Sequence, residues 1–204
     1  MKNGGYMKDA LILFVITLVS GFLLGGAYQI TKEPIERTKL AASLEAYKTV
    51  FQDAADFQIP EGAEASIESC NTDLLSKGFG NVGVAQALEA VDGSGTVIGH
   101  VFTAYSNDSY SGPIRLSVGI GLDGTISGVE LLEISDTPGL GLKAAEPAFK
   151  DQYLGKNADS LTVVKSGSAG DAEINSISGA TITSNAVTNA VNAALYYVHN
   201  YINQ

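Results

Sequence analysis

The 204-residue sequence predicts an α+β protein with a single N-terminal transmembrane helix, followed by an antiparallel-sheet domain with a packed C-terminal helix. Three observations predict this arrangement. An uncharged apolar run of 21 residues lies near the N-terminus, strand-like segments joined by hairpin signals follow it, and an amphipathic helical pattern ends the chain. A chain of this length has room for one domain with a full hydrophobic core and an appendage.

The apolar run covers residues 10–30 and contains no charged side chain. A helix of this length reaches about 30 Å, the thickness of the hydrocarbon core of a bilayer. A cleavable signal peptide is the main alternative, with a conceivable cleavage site at Gly25-Gly26-Ala27. Because such peptides use an apolar region of only about 7–15 residues, we interpret residues 10–30 as an uncleaved transmembrane helix.

Flanking charges predict how the chain is oriented in the membrane. Lys2 and Lys8 precede the apolar run, whereas charges of both signs follow it. Because positive residues favour the cytoplasmic side, we expect residues 1–9 in the cytoplasm and residues 53–204 as an extracytoplasmic domain. The chain is then predicted to be a single-pass membrane protein with its N-terminus in the cytoplasm.

Residues 31–52 are predicted to form a stalk helix between the membrane and the domain. The stretch IERTKLAASLEAYKTVF has apolar residues at helical spacing, and Pro34 just before it is interpreted as a break or a first helical turn. After the stalk, residues 53–80 contain Pro60, Gly62 and Gly78, and predict only loops and short pieces.

Four segments then predict the sheet, at residues 82–91, 96–105, 114–122 and 125–134. Asp92-Gly93-Ser94-Gly95 separates the first two and Asp123-Gly124 the last two, and both are hairpin signals. The spacing therefore predicts an antiparallel meander. Further along the chain, residues 144–153 predict a helix and residues 161–165 another strand.

The last helix has the strongest periodic pattern in the chain. Its apolar stripe consists of Val187, Ala190, Val191, Ala194, Leu195, Val198 and Ile202. This spacing predicts a helix over residues 183–202 that packs on the sheet. The stretch SISGATITSNAV lies at its start.

This start has two interpretations. The N-terminus of a helix offers unpaired N–H groups and a partial positive charge, which favour a phosphate, and Gly179 and Ala180 would let such a group approach the backbone closely. Alternatively, the hydroxyl of Ser178, Thr181 or Thr183 merely caps the helix. The residues alone leave both open.

Composition excludes several classes of protein. Residues 10–204 carry a net charge of about −11, which repels nucleic acid and anionic lipid. Cys70 is the only cysteine, and the two histidines, His100 and His199, lie far apart in the sequence, so we expect no metal site and no intrachain disulfide. Thr181 has no adjacent base to activate it, so we expect no intrinsic hydrolase and no catalytic residue.

The stretch SISGATITSNAV resembles the flavinylation motif of the FMN-binding domain family. That family includes the G subunit of the Rnf ion-translocating electron transport complex and the C subunit of the sodium-pumping NADH:quinone reductase. A second stretch, YSGPIRLSVGIGLDGTISGVELLEISDTPGLGLK, is also similar to the family, through Tyr110, Gly112, Ile114, Gly124, Ile126, Gly128 and residues 137–141. One departure is Asn175, where the family pattern commonly has an aspartate.

The resemblance implies that FMN is covalently bound through a phosphoester to Thr181, and that a flavin transferase installs it from FAD. The other cofactor-binding residues that it implies are Ser178, Gly179, Ala180, Thr183, Thr137, Gly139, Leu140, Gly141 and Lys143. Lys143 would favour an anionic reduced flavin or bind the phosphate. A role for Asp136 as a proton donor is a further possibility.

The implied function is a membrane-anchored electron relay in an Rnf-type complex that couples ferredoxin:NAD oxidoreduction to sodium or proton translocation. The implied partners are the polytopic membrane subunits A, D and E and the iron–sulfur and flavin subunits B and C. The short chain favours Rnf over the quinone reductase. The alternatives are a C-type subunit of that reductase, a stand-alone extracytoplasmic flavinylated protein, and a non-redox module whose loop only caps a helix.

Overall fold

The structure, a computed structural model, describes residues 4–165, 167 and 170–202. The chain divides into two units, Met1–Ala42 and Ser43–Gln204. Helix α1, Gly4–Val50, supplies the described part of the first unit and ends in the second.

Within α1, the segment Lys8–Gly26 has a mean hydropathy of 2.1 and is not buried, so it is long and apolar enough to cross a membrane. It overlaps the predicted span. Pro34 lies inside α1, so both predictions for this residue, a break and a first helical turn, are wrong. A proline removes a single intrahelical hydrogen bond, and the helical sequence on both sides continues the helix.

The second unit is built on a five-stranded antiparallel sheet with the strand order β1-β2-β3-β4-β5. The strands are β1 Asp56–Gln58, β2 Val82–Val91, β3 Val97–Ser106, β4 Ile114–Gly121 and β5 Ile126–Glu133. The predicted meander is therefore confirmed. Side chains close both predicted hairpins, because Asp92 accepts hydrogen bonds from the N–H groups of Ser94 and Thr96 and Asp123 accepts one from Thr125.

Helix α4, Thr181–Tyr197, packs on one face of this sheet and continues as a π-helical turn, Val198–Ile202. Its predicted apolar stripe is buried against sheet residues that include Phe102, Leu116 and Val118. The helix begins at Thr181, two residues before the predicted start.

Two predictions in this unit need correction. Residues 63–76 form helix α2, Ala63–Ser76, where loops were expected. The signal was present in Ala63, Ile67, Cys70 and Leu74, which recur at helical spacing and pack into or against the core.

The second correction concerns residues 144–153, which form a 3₁₀ turn (Gly141–Ala145), a single α-helical turn α3 (Pro147–Lys150) and a 3₁₀ turn (Asp151–Tyr153) rather than one helix. Pro147 starts a new turn because its ring fixes the backbone there. The strand predicted at residues 161–165 is confirmed as β6, Thr162–Val164, and it pairs in parallel with β7, Glu173–Asn175, which the sequence analysis did not predict.

The end of α1 covers the opposite face of the sheet. Val50 and Phe51 lie against Gly99, Gly119 and Gly128, where the sheet has no side chains. A Cβ atom at Gly119 would lie 2.6 Å from the carbonyl oxygen of Val50. These glycines therefore let the helix end approach the strands closely.

We expect Gly119→Ala to lower the stability of the domain by about 1–3 kcal/mol, the usual cost of overpacking, because the added methyl group meets backbone. Urea unfolding of the detergent-solubilised chain measures this. Gly93→Ala is the matched control, because a Cβ at Gly93 meets nothing within 4 Å. Equal midpoints for the two variants would contradict the close approach.

Candidate functional site

The turn after β5 and the start of α4 meet at a cavity of about 600 Å³. Its lining residues are Tyr110, Asp136, Thr137, Leu140, Gly141, Gly179, Ala180, Thr181, Ile182 and Thr183. The two stretches that the sequence analysis singled out thus come together in space, although about 40 residues separate them in the chain. The volume lies within the range of roughly 300–1,000 Å³ that is typical of small-molecule sites.

The start of α4 has no side-chain cap. Ala180 is the N-cap residue, and no side-chain oxygen accepts a hydrogen bond at this position. The cap interpretation of Ser178, Thr181 and Thr183 is therefore wrong. Thr181 is the first helical residue, is exposed and lines the cavity. Among the described residues, no hydrogen-bond partner is found for the N–H groups of Thr181, Ile182 and Thr183, which matches the unpaired donors of a helix start.

The loop before α4 is held by its own hydrogen bonds. The Ile177 N–H donates to Ser184 Oγ at 2.9 Å, and the Ala180 N–H donates to the Ile177 carbonyl at 2.9 Å. Gly179 has φ 79°, a conformation that favours glycine. These contacts fix the approach to Thr181 without using its hydroxyl.

Gly179 also brings the two loops together. A Cβ atom at Gly179 would lie 3.2 Å from Cδ2 of Leu140, which is 42% exposed at the cavity. The turn that carries Leu140 is closed by backbone bonds, with the N–H groups of Leu140 and Leu142 donating to the Thr137 carbonyl at 3.1 and 3.3 Å. The Leu140 side chain is therefore held at the cavity.

Asp136 joins the two loops directly. Its buried carboxylate accepts hydrogen bonds from Thr183 Oγ1 at 2.5 Å, from the Thr137 N–H at 2.6 Å and from Ser109 Oγ at 3.3 Å. Burial opposes ionisation of this carboxyl, but these hydrogen bonds outweigh it, so its pKa lies below the ordinary value. Asp136 is therefore ionised at neutral pH and cannot be the proton donor that the sequence analysis considered.

Gly141 leaves room for that carboxylate. A Cβ atom at Gly141 would overlap the Asp136 carboxyl group, so any side chain at this position would displace it. Gly141 is buried and is the first residue of the 3₁₀ turn Gly141–Ala145. The absence of a side chain at Gly141 therefore leaves the space that the Asp136 carboxylate occupies.

The structure brings together seven of the ten sequence-predicted site residues. Thr137, Leu140, Gly141, Gly179, Ala180, Thr181 and Thr183 line the cavity, whereas Ser178, Gly139 and Lys143 do not. Thr183 is buried and directed to Asp136. Lys143 is exposed and is not among the lining residues, whereas Asp136 is. The charged side chain in the cavity wall is therefore the Asp136 carboxylate.

Sequence reasoning did not predict Tyr110 and Ile182 as lining residues, and it considered Asp136 only as a proton donor. Tyr110 is 71% exposed and Ile182 is 53% exposed. With Leu140 they make three large apolar side chains that are exposed around one cavity, an arrangement typical of a ligand site. The local signal for Ile182 was its place between two threonines at a helix start, which only the fold could interpret.

Asn175, where the sequence departs from the family pattern, precedes this loop by a few residues. Its backbone is held by Gln152, whose Oε1 accepts from the Asn175 N–H at 2.8 Å and whose Nε2 donates to the Asn175 carbonyl at 3.3 Å. Its Oδ1 is buried and has no hydrogen-bond partner among the described residues. The side chain is thus not used to hold the loop.

Comparison with known proteins relates this chain to flavoproteins. The family model described as FMN-binding domain matches residues 109–196, which include every residue lining the cavity. The G subunit of the Na(+)-translocating ferredoxin:NAD(+) oxidoreductase complex of Acetobacterium woodii is 32% identical over 197 residues, which are 95% of this chain and 91% of that protein.

Two further matches were found. The G subunit of the ion-translocating oxidoreductase complex of Methanosarcina acetivorans is 31% identical, covering 94% of this chain and 93% of that protein. The crystal structure of the C subunit of the Na(+)-translocating NADH-quinone reductase from Parabacteroides distasonis is 22% identical with a TM-score of 0.49, covering 66% of this chain and 68% of that chain.

The hydrogen bond between Thr183 and Asp136 gives a stability prediction. We expect Thr183→Val to lower the free energy of unfolding of the flavin-free chain at pH 7 by about 1.5–3 kcal/mol, the range for a hydrogen bond to a charged group. Thr181→Val is the matched control, because the Thr181 hydroxyl is exposed, and should change it by less than about 0.5 kcal/mol. Urea unfolding measures both.

The same pair gives a pH prediction. The pKa of Asp136 is lowered in the folded state, so its stabilisation is fully present above the unfolded value of about 3.9 and is lost as the pH falls through the folded pKa. The difference between wild type and Thr183→Val should therefore shrink in acid below about pH 4. A difference that stays constant down to about pH 2 would show that Asp136 is not ionised in the fold.

Proposed function

Because this chain belongs to the family of the G subunits of ion-translocating oxidoreductase complexes, we propose that it is the FMN-binding electron-transfer subunit of an Rnf-type complex that couples ferredoxin:NAD oxidoreduction to ion translocation. The observation that carries the proposal is the cavity, where an uncapped helix start and an exposed threonine lie beside exposed apolar side chains. The FMN-binding match over residues 109–196 supports the same cofactor.

We propose that Thr181 carries the FMN as a phosphoester. The phosphate would lie at the N-terminus of α4, where the unpaired N–H groups of the first turn donate to an anion and the helix dipole stabilises it. Two features support this position. Thr181 is exposed at the first turn, and Gly179 has no side chain to hinder the approach.

The apolar side of the cavity fits the ring system of a flavin. Leu140, Ile182 and Tyr110 offer large surfaces, and the volume suits a ligand of this size. FMN bound in this cavity would accept and donate electrons reversibly. The cofactor would supply this chemistry, and the protein would supply binding and orientation. The residues around it bind the ring, orient it and exclude part of the solvent.

Attachment is a group transfer that needs a second enzyme. In the step we propose, the Thr181 hydroxyl oxygen forms a bond to the FMN phosphorus of FAD, the pyrophosphate bond breaks, AMP leaves, and the hydroxyl proton passes to a base of the flavin transferase. We assign that base to the transferase, because the Asp136 carboxylate already accepts three hydrogen bonds, none of them from the Thr181 hydroxyl. No net oxidation or reduction occurs.

Ion movement is assigned to partner subunits. The predicted membrane helix has no charged residue between positions 10 and 30, and ion paths through membranes are built around ionisable or polar side chains. We propose that the polytopic subunits A, D and E carry the ion, and that the flavin domain on the extracytoplasmic side receives and passes on electrons from the iron–sulfur and flavin subunits B and C. The anchor keeps the domain beside them.

We expect the chain produced together with the flavin transferase to carry one FMN that survives denaturation, seen as ultraviolet fluorescence of the denatured band and as an added mass in intact-mass measurement. Thr181→Val should abolish both signals. Thr72→Val is the matched control, because it makes the same substitution at an exposed threonine of α2 that does not line the cavity. Full flavin on Thr181→Val would overturn the attachment site, and a bare wild-type chain would overturn covalent attachment.

Membership of a complex gives a separate prediction. Purification of a tagged chain from the membranes of its own cells should recover several polytopic membrane proteins in fixed ratio, identified by mass spectrometry. A flavin-loaded chain that is recovered alone under mild detergents would favour the stand-alone electron carrier instead.

A further inference from the structure

We propose that Asp136 sets the reduction potential of the flavin by holding a fixed negative charge in the cavity wall. The inference rests on the proposed function, since it requires FMN in this cavity. It assigns to Asp136 a task that differs from binding the cofactor or transferring a proton. The charge beside the ring is then the negative charge of Asp136 and not the positive charge of Lys143 that the resemblance implied.

The first observation is the isolation of the charge. Of the ten described residues that line the cavity, Asp136 alone has an acidic or basic side chain. Lys143, the cation expected there, is exposed and does not line the cavity. A ring bound between the two loops would therefore meet a carboxylate without a compensating basic side chain in the same wall.

The second observation is that the charge is immobile. Three segments of the chain donate to the carboxylate: Ser109 from the connection between β3 and β4, Thr137 from the turn after β5, and Thr183 from α4. One backbone N–H and two hydroxyl groups can donate to the carboxylate, and hydrogen bonds of this kind stabilise its ionised form. Gly141 completes the enclosure because only a residue without a side chain leaves space for the carboxyl group.

The third observation concerns the medium around the charge. Asp136 is 9% exposed, and the cavity beside it is bordered by Leu140, Ile182 and Tyr110. A flavin ring that fills the cavity between these side chains would displace water from the space beside the carboxylate, so the charge would be weakly screened toward the ring. The partial positive charge at the N-terminus of α4 opposes the effect of the carboxylate. In the proposed function, the phosphate on Thr181 interacts with that partial charge and offsets it.

The consequence for the redox function follows from the sign of the charge. A fixed negative charge beside the flavin makes the addition of electrons less favourable. The reduction potential of the bound flavin is therefore lowered. Replacing the carboxylate by an amide of the same shape removes the charge and should raise the potential. The three hydrogen-bond donors fix the position of the carboxylate, whereas its negative charge determines the direction of the shift in potential.

The experiment is a redox titration of the full-length, flavin-loaded chain in detergent, followed through the flavin absorbance. Asp136→Asn should move the midpoint to a more positive potential. Asp159→Asn is the matched control, because it removes the same charge at an exposed site beside His199, about 25 Å along the axis of α4 from Thr181 at about 1.5 Å per residue. Its midpoint should equal that of wild type.

Thr183→Val separates charge from position. It keeps the carboxylate and removes one donor, so the midpoint should not move in the positive direction, although the domain is less stable. If Asp136→Asn does not fold, Asp136→Ser serves for the same titration.

The outcomes distinguish the inference from the proposed function. Flavin-loaded Asp136→Asn with the midpoint of wild type overturns the inference and leaves the proposed function intact. A shift of equal size in Asp159→Asn also overturns it, because the effect would then be one of net charge. If both Asp136 variants fold but take up no flavin, Asp136 builds the site and does not tune it. A wild-type chain that never acquires flavin overturns both proposals.

Discussion

The hydrogen bond between Asp136 and Thr183 is the interaction on which the site depends. It joins the turn after β5 to the first turn of α4, across 47 residues of sequence. The contact of Leu140 with Gly179 and the packing of Ala144 in the same core cluster as Ala180 also hold the two segments together. A buried carboxylate is costly unless donors surround it, and here the backbone of Thr137 and the hydroxyl of Ser109 supply the remaining donors.

Behind this contact, the sheet and α4 provide a rigid base. The hydrophobic stripe of α4 packs on one face of the sheet, and the end of α1 covers the other at Gly99, Gly119 and Gly128. Both faces are thus covered, and the loops at one end of α4 stand on a packed core. Binding loops on a rigid support are the common arrangement in functional sites, and it matches a cofactor that must keep its distance to partners.

Local patterns in the sequence predicted much of the fold, because hairpins and amphipathic helices depend on neighbouring residues. The strands β2 to β5 and the stripe on α4 were found in this way. Helix α2 was missed because Pro60 and Gly62 suggested loops, while its apolar residues are few. The role of Asp136 could not be predicted, because its partners Ser109 and Thr183 lie 27 and 47 residues away and no spacing rule relates them.

The open N-terminus of α4 has a consequence for how long the protein survives in the cell. A helix start without a cap forgoes about 1 kcal/mol of stability, so the bare chain should open more often at Ala180 and Thr181 than a chain whose first turn holds an anion. Proteases act on such openings. Maturation would then decide abundance as well as activity, and limited proteolysis of bare and loaded chains, read at the residues around Gly179, measures the difference.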